Sequence, residues 1–132
     1  MSTTASASIG KEKYQTQLKV GVHQLIADEP TTAGGADLGP APGDYLLMAL
    51  AACTSITLRM YADRKGWSVD KVNVDVSYQS VNGKTIFQRN INIEGAVDET
   101  QREQLLKIAN VCPIHKVLTG SIEISTELLV AK

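Results

Sequence analysis

The chain has 132 residues, 43% hydrophobic and 20% charged, with a formal net charge of −1. That length predicts one domain, 1–132, large enough to bury a self-supporting core. The near-neutral balance excludes the basic footprint of a nucleic-acid binder and argues against an anionic membrane surface as partner.

Met1 to Gly10 carries neither a basic n-region nor an apolar h-region, so the protein is expected in the cytoplasm, with 1–12 as a flexible lead-in. Tyr14, Thr16, Leu18 and Val20 alternate with Gln15, Gln17 and Lys19, the period of a strand. Gly21 and then Val22 to Ala27 follow, which predicts a hairpin. Pro30 to Gly43 holds four Gly and three Pro and reads as an irregular loop. From Asp44 the chain reads as a helix: Asp44 caps its start, and Gly66 stops it after Arg64 and Lys65. Its longest apolar stretch, Tyr45 to Cys53, is about half of the roughly 20 residues that span a bilayer. Because Tyr45 to Ala52 are apolar on every face, that helix has to be surrounded by protein. One layer of sheet covers one side, so a second subunit is expected on the other, making a homodimer with this helix at the interface.

Val72, Val74, Val76 and Tyr78 alternate with Asn73, Asp75 and Ser77, a second strand, and Asn82-Gly83 is a hairpin turn. The return strand puts Phe87, Arg89, Ile91 and Ile93 on one face, so Arg89 stands in an apolar register. Asp98 with Gln101 makes a capping box, and Leu105, Ile108, Ala109 and Cys112 form the stripe of the next helix. Pro113 breaks it, a short helical piece runs to about Leu118, and Ile122, Ile124, Thr126 and Leu128 read as a closing strand. The order predicts an α+β fold with antiparallel sheet.

The chemistry centres on two cysteines. A reducing compartment rarely keeps a structural disulfide, so Cys53 and Cys112 point elsewhere. Either one alone is explained as a buried small residue. Both, however, face inward from helices expected to pack together, Cys53 with Leu46, Ala49, Leu50, Ile56 and Met60. Pro113 suits a first helical position, leaving Cys112 as the N-cap, where backbone N–H groups favour a thiolate. His115 then lies one turn on and can assist; a plain Cys-Pro kink with His115 facing solvent is the alternative. Cys53, Cys112, His23 and His115 lack the pair spacing of a zinc site, and no phosphate-binding glycine motif occurs, so neither metal nor cofactor is expected. A Cys/His hydrolase would need an oxyanion hole that no motif supplies.

Taken together, Gly39-Pro40-Ala41-Pro42-Gly43-Asp44-Tyr45-Leu46-Leu47, Ala51-Ala52-Cys53-Thr54, Arg59 to Trp67 and Cys112-Pro113-Ile114-His115-Lys116 resemble the OsmC/Ohr family, from about Tyr14 to Leu128. The stretch Met60-Tyr61-Ala62-Asp63-Arg64-Lys65-Gly66-Trp67 is similar to its OsmC-like branch. The resemblance implies antiparallel sheets packed around two central helices in an intertwined homodimer. It further implies a peroxiredoxin-like thiol peroxidase that reduces organic hydroperoxides in oxidative-stress defence. Cys53 would be the attacking thiolate, Cys112 the resolving cysteine, and an external dithiol the reductant. Leu46, Leu50 and Met60 would form an apolar substrate pocket. Peroxidases of the family pair an arginine with a carboxylate beside the thiol; here Asp44 is the acidic residue in reach, and no arginine precedes Arg59, so Arg89 or Arg59 has to substitute. The competing expectation is a non-catalytic OsmC-like protein that binds a small hydrophobic ligand at its dimer interface.

Overall fold

A computed structural model describes residues 3–131. The chain is α+β, with two antiparallel sheets and three α-helices, and forms two compact units, Met1–Met48 and Ala49–Lys132.

The first unit is a three-stranded sheet in the order β1-β2-β3, built from Ala5–Ser8, Thr16–Val20 and His23–Ala27. The expected hairpin is present, with Val20 opposite His23 across Gly21 and Val22. The lead-in expected to be flexible contains β1, which pairs Ala5 with Val20 and Ser8 with Gln17. Its small residues are exposed and give no hydrophobic signal; backbone hydrogen bonds to the open edge of β2 hold it.

The loop after β3 is organised by Asp28, which is buried at the strand's end. Its Oδ1 accepts the N–H of Tyr14 (3.1 Å) and Glu29 (2.7 Å), and its Oδ2 accepts the N–H of Leu38 (3.1 Å). Burial by itself raises the Asp28 pKa, but the N–H groups of Leu38, Glu29, Tyr14 and Ala36 outweigh it and hold the carboxylate below its ordinary value. Gly35 is needed here, since a Cβ would overlap the Glu29 carbonyl.

Helix α1 spans Pro42–Lys65. It begins two residues before the expected start, with Pro42 first, a position where the missing N–H is no loss. Asp44 is therefore the third helical residue, and its carboxylate reaches back to accept the Ala41 N–H (3.0 Å), the return half of a capping box. By length and composition α1 could cross a membrane, but its Thr54, Leu58 and Ala62 are buried in the core of the second unit.

That second unit is a long hairpin covered by helices. Strands β4 (Ser68–Val81) and β5 (Lys84–Ala96) meet at Asn82-Gly83, whose φ values of 51° and 77° are those of a type I′ turn. The register sets Val72 opposite Ile93, Val74 opposite Ile91, Val76 opposite Arg89 and Tyr78 opposite Phe87. Arg89 thus occupies the apolar face, as its alternation predicts. Helix α2 (Glu99–Ala109) opens with the Asp98/Gln101 capping box, and α3 (Pro113–Thr119) opens with Cys112 at the N-cap.

The core joins Leu58 and Ala62 of α1 to Val69, Ile93, Leu105 and Ala109. Burying Leu58, 1% exposed, contributes about 2 kcal/mol by area removed from water. The buried ridge of α1 is Leu50, Thr54, Leu58 and Ala62, spaced four apart, and not the face predicted for Cys53. Ile56 and Met60, expected inward, are 55% and 59% exposed, because the hairpin covers one side of the helix only. The closing strand expected at Ile122 to Leu128 does not form: residues 121–131 are exposed and without secondary structure. A strand needs a neighbour for its N–H and C=O groups, and no other strand pairs with it among the described residues.

Candidate active site

Three elements of the second unit converge on Cys112. The α2 helix ends at Asn110, and the chain turns so that Cys112, fully buried, caps α3. Its Sγ accepts the His115 N–H at 3.4 Å. From α1, Thr54 brings its hydroxyl to 3.8 Å from the same sulfur. From β5, Arg89 spans the gap: Nη1 donates to Thr54 Oγ1 (3.0 Å) and to the Ala109 carbonyl (3.2 Å), and Nη2 donates to Asn110 Oδ1 (2.9 Å). All three acceptors are neutral, and among the described residues no carboxylate forms an ion pair with Arg89.

These contacts offset the cost of burying a thiolate. Burial by itself raises the Cys112 pKa, but the His115 N–H, the Thr54 hydroxyl, the neighbouring Cys53 thiol and the Arg89 charge together carry it below the ordinary thiol value. His115 moves the same way for other reasons: burial and then the Arg89 charge lower its pKa, favouring neutral imidazole. Both cysteines are free thiols; Cys53 is half-buried and Cys112 buried.

Beside this cluster lies a cavity of about 420 Å³, walled by Leu50, Ile86, Phe87 and Leu118, with Arg89 and His115 among its polar lining. Its wall is mostly apolar carbon, and its lining includes Lys84 and no acidic residue among the described residues.

Residues 34–127 match the OsmC-like protein family. The chain belongs to that family. The fold of this OsmC-like protein is shared with an OsmC-like protein from Mycoplasma pneumoniae, at a TM-score of 0.76 and 21% identity, over 91% of this chain and 89% of that one. It is also similar to an organic hydroperoxide resistance protein from Elizabethkingia anophelis (TM-score 0.68, 23% identity, 93% and 91% covered). A putative organic hydroperoxide resistance protein from Vibrio cholerae, solved with captopril in one of its active sites, gives a TM-score of 0.68 at 22% identity, with 93% and 88% covered. No curated protein matches the chain.

Of the residues singled out from sequence, the OsmC-like fold gathers Cys53, Cys112, Arg89, Leu50 and His115 around one centre. Arg59 and Met60 lie elsewhere, in a shallow depression with Ser55, Ile56, Asp70, Lys71 and Val72. There the Arg59 guanidinium donates to the Val69 carbonyl and pairs with Asp63 at 3.5 Å, so it is held at the end of α1. Two turns along a helix carry a side chain well away from its starting level, which is why Arg59 does not join Cys53. Asp44 and Leu46 belong to the first unit, where Asp44 serves the helix start and Leu46 is half exposed. The expected pocket wall is thus replaced: Leu50 lines the cavity with Ile86, Phe87 and Leu118 instead of with Met60. Sequence reading missed Thr54 and Asn110. Thr54 carried a signal all the same, as a hydroxyl between Leu50 and Leu58 on the buried ridge, where a polar group has to find a partner. Among the described residues no three His, Cys, Asp or Glu side chains converge to hold a metal ion.

Proposed function

We propose that this OsmC-like protein is a thiol-dependent peroxidase that reduces organic hydroperoxides in the cytoplasm. What supports the reading is a pair of free thiols, 59 positions apart in the chain, with Cys53 neighbouring the buried Cys112, close to an arginine that has no carboxylate partner among the described residues. The more accessible thiol, Cys53, meets the peroxide. Cys112, fully buried, sits where the cluster favours its thiolate.

Attack by Cys53 Sγ on the O–O bond forms an S–O bond and releases an alkoxide, which takes a proton and leaves as the alcohol. Cys53 is then a sulfenic acid. Cys112 Sγ attacks that sulfur and expels its oxygen as water, giving a 53–112 disulfide. A dithiol reductant returns both thiols in exchange for its own disulfide. The apolar cavity beside Arg89 favours an alkyl or aryl peroxide over hydrogen peroxide.

The working unit in this reading is a homodimer. In support, α1 leaves Ile56 and Met60 exposed on the side away from its buried ridge, and Ile122, Ile124 and Leu128 are 62%, 83% and 98% exposed with no strand to pair with among the described residues. A second copy of the chain covers both.

Stopped-flow mixing with cumene hydroperoxide tests the reading. The reduced protein should react orders of magnitude faster than a free thiol, and Cys53→Ser should abolish the reaction. Equal, slow consumption by both proteins overturns it and leaves the cavity as a ligand-binding site.

A further inference from the structure

The one hydroxyl of Thr54 meets three partners. It donates to the Leu50 carbonyl at 2.7 Å, accepts from Arg89 Nη1 at 3.0 Å, and lies 3.8 Å from Cys112 Sγ. With its proton on Leu50, it can meet the sulfur only as an acceptor from a Cys112 S–H. Once that proton leaves, the hydroxyl can rotate and donate to the thiolate, while its oxygen still accepts from Arg89. A buried hydroxyl polarised by a cation on one side is a better donor on the other. Asn110 completes the arrangement by fixing the second guanidinium arm with an amide oxygen at 2.9 Å.

We propose that Thr54 and Asn110 are positioning residues through which Arg89 acts on the thiol pair: they hold the guanidinium by neutral oxygens, so its charge stays uncancelled, and Thr54 passes its influence to Cys112 as a hydroxyl that reverses its hydrogen bond on ionisation. A carboxylate in either place would hold the arginine equally well and cancel the charge the sulfur needs. The titratable and charged side chains that act on Cys112 are Cys53 from α1 and Arg89 from β5, while His115 of its own helix meets it through the backbone N–H. The lowered thiol pKa is consistent with this arrangement but does not separate Thr54 from the rest. The proposal rests on the thiol pair being the reactive centre, but its test reads the Cys112 thiolate without any peroxide, so its failure is distinguishable from failure of the peroxidase reading.

The test is an ultraviolet thiolate titration in Cys53→Ser protein, where Cys112 is the one remaining cysteine. Thr54→Val keeps the shape and removes the hydroxyl; Thr54→Ser restores it. The Val variant should hold about tenfold less thiolate at a pH below its midpoint, the worth of one hydrogen bond to a charged group, and the Ser variant should follow the parent. A structural role alone would lower thermal stability in the Val variant and leave the titration where it was. Asn110→Asp, at an exposed position, is independent of core packing: it should also move the midpoint upward, with the arginine kept in place. Coincident titrations of parent and Thr54→Val overturn the role of Thr54. If the Val variant does not fold, an unmoved Asn110→Asp midpoint overturns the proposal by itself.

Discussion

Asp28 and Arg89 are charged side chains that the fold draws inward, Asp28 fully and Arg89 in part, and both are held by neutral partners. The Asp28 carboxylate accepts three backbone N–H groups from its own neighbourhood, those of Tyr14, Glu29 and Leu38. Its charge is consumed by the loop it ties together. Arg89 also meets only neutral acceptors, but they come from three different elements, α1, α2 and the turn after it. What remains of its charge acts on groups it does not hydrogen-bond, lowering the pKa of both Cys112 and His115. The same device, an ion in a cradle of dipoles, fixes a loop in one unit and poises a thiol in the other. The difference is whether anything titratable lies within the unspent field.

Replacing each ion breaks that comparison in a different way. Arg89→Leu should have the largest effect on chemistry, slowing oxidation of the thiol pair by organic hydroperoxide by about a hundredfold at neutral pH, the scale of a lost cation near an ionising group. Circular dichroism should show the fold retained, because the core around Leu58, Ile93 and Leu105 does not depend on that side chain. A variant as fast as the parent would mean that Arg89 has no hold on the sulfur. Asp28→Asn should show the smaller and purely structural effect. The folded carboxylate titrates below its ordinary 3.8, so its stabilisation is complete above that value and drains away as the pH falls through the lower folded value. The parent should therefore lose thermal stability over that acid window, and the Asn variant, already weaker at neutral pH, should lose less. Parallel acid profiles would contradict the role given to Asp28.

Much of this was legible in the residues. The alternation from Val72 to Tyr78 and from Phe87 to Ile93, with Asn82-Gly83 between, locates the hairpin, and the structure extends it at both ends. The capping box at Asp98 and the N-cap role of Cys112 also read directly, because each is a local rule between residues three apart. Arg89 stood out as a charge in an apolar register. Three things did not read. Strand β1 has no apolar side to announce it. The face of α1 is ambiguous when nearly every residue on it is apolar, so Thr54, Leu58 and Ala62 could not be separated from Ile56 and Met60 without the hairpin that covers them. The segment from Ile122 to Leu128 alternates like a strand but finds no neighbour among the described residues. Met60 shares a helix face with Cys53 and Arg59 lies two turns beyond it, but the rise of those two turns carries both elsewhere.

The central claim is that Cys53 and Cys112 form one redox pair, and treatment of the reduced protein with one equivalent of cumene hydroperoxide tests it directly. Peptide mapping by mass spectrometry should find both thiols lost together and a single 53–112 linkage within one chain. Sulfinic or sulfonic acid on Cys53 with Cys112 still a free thiol would contradict the account.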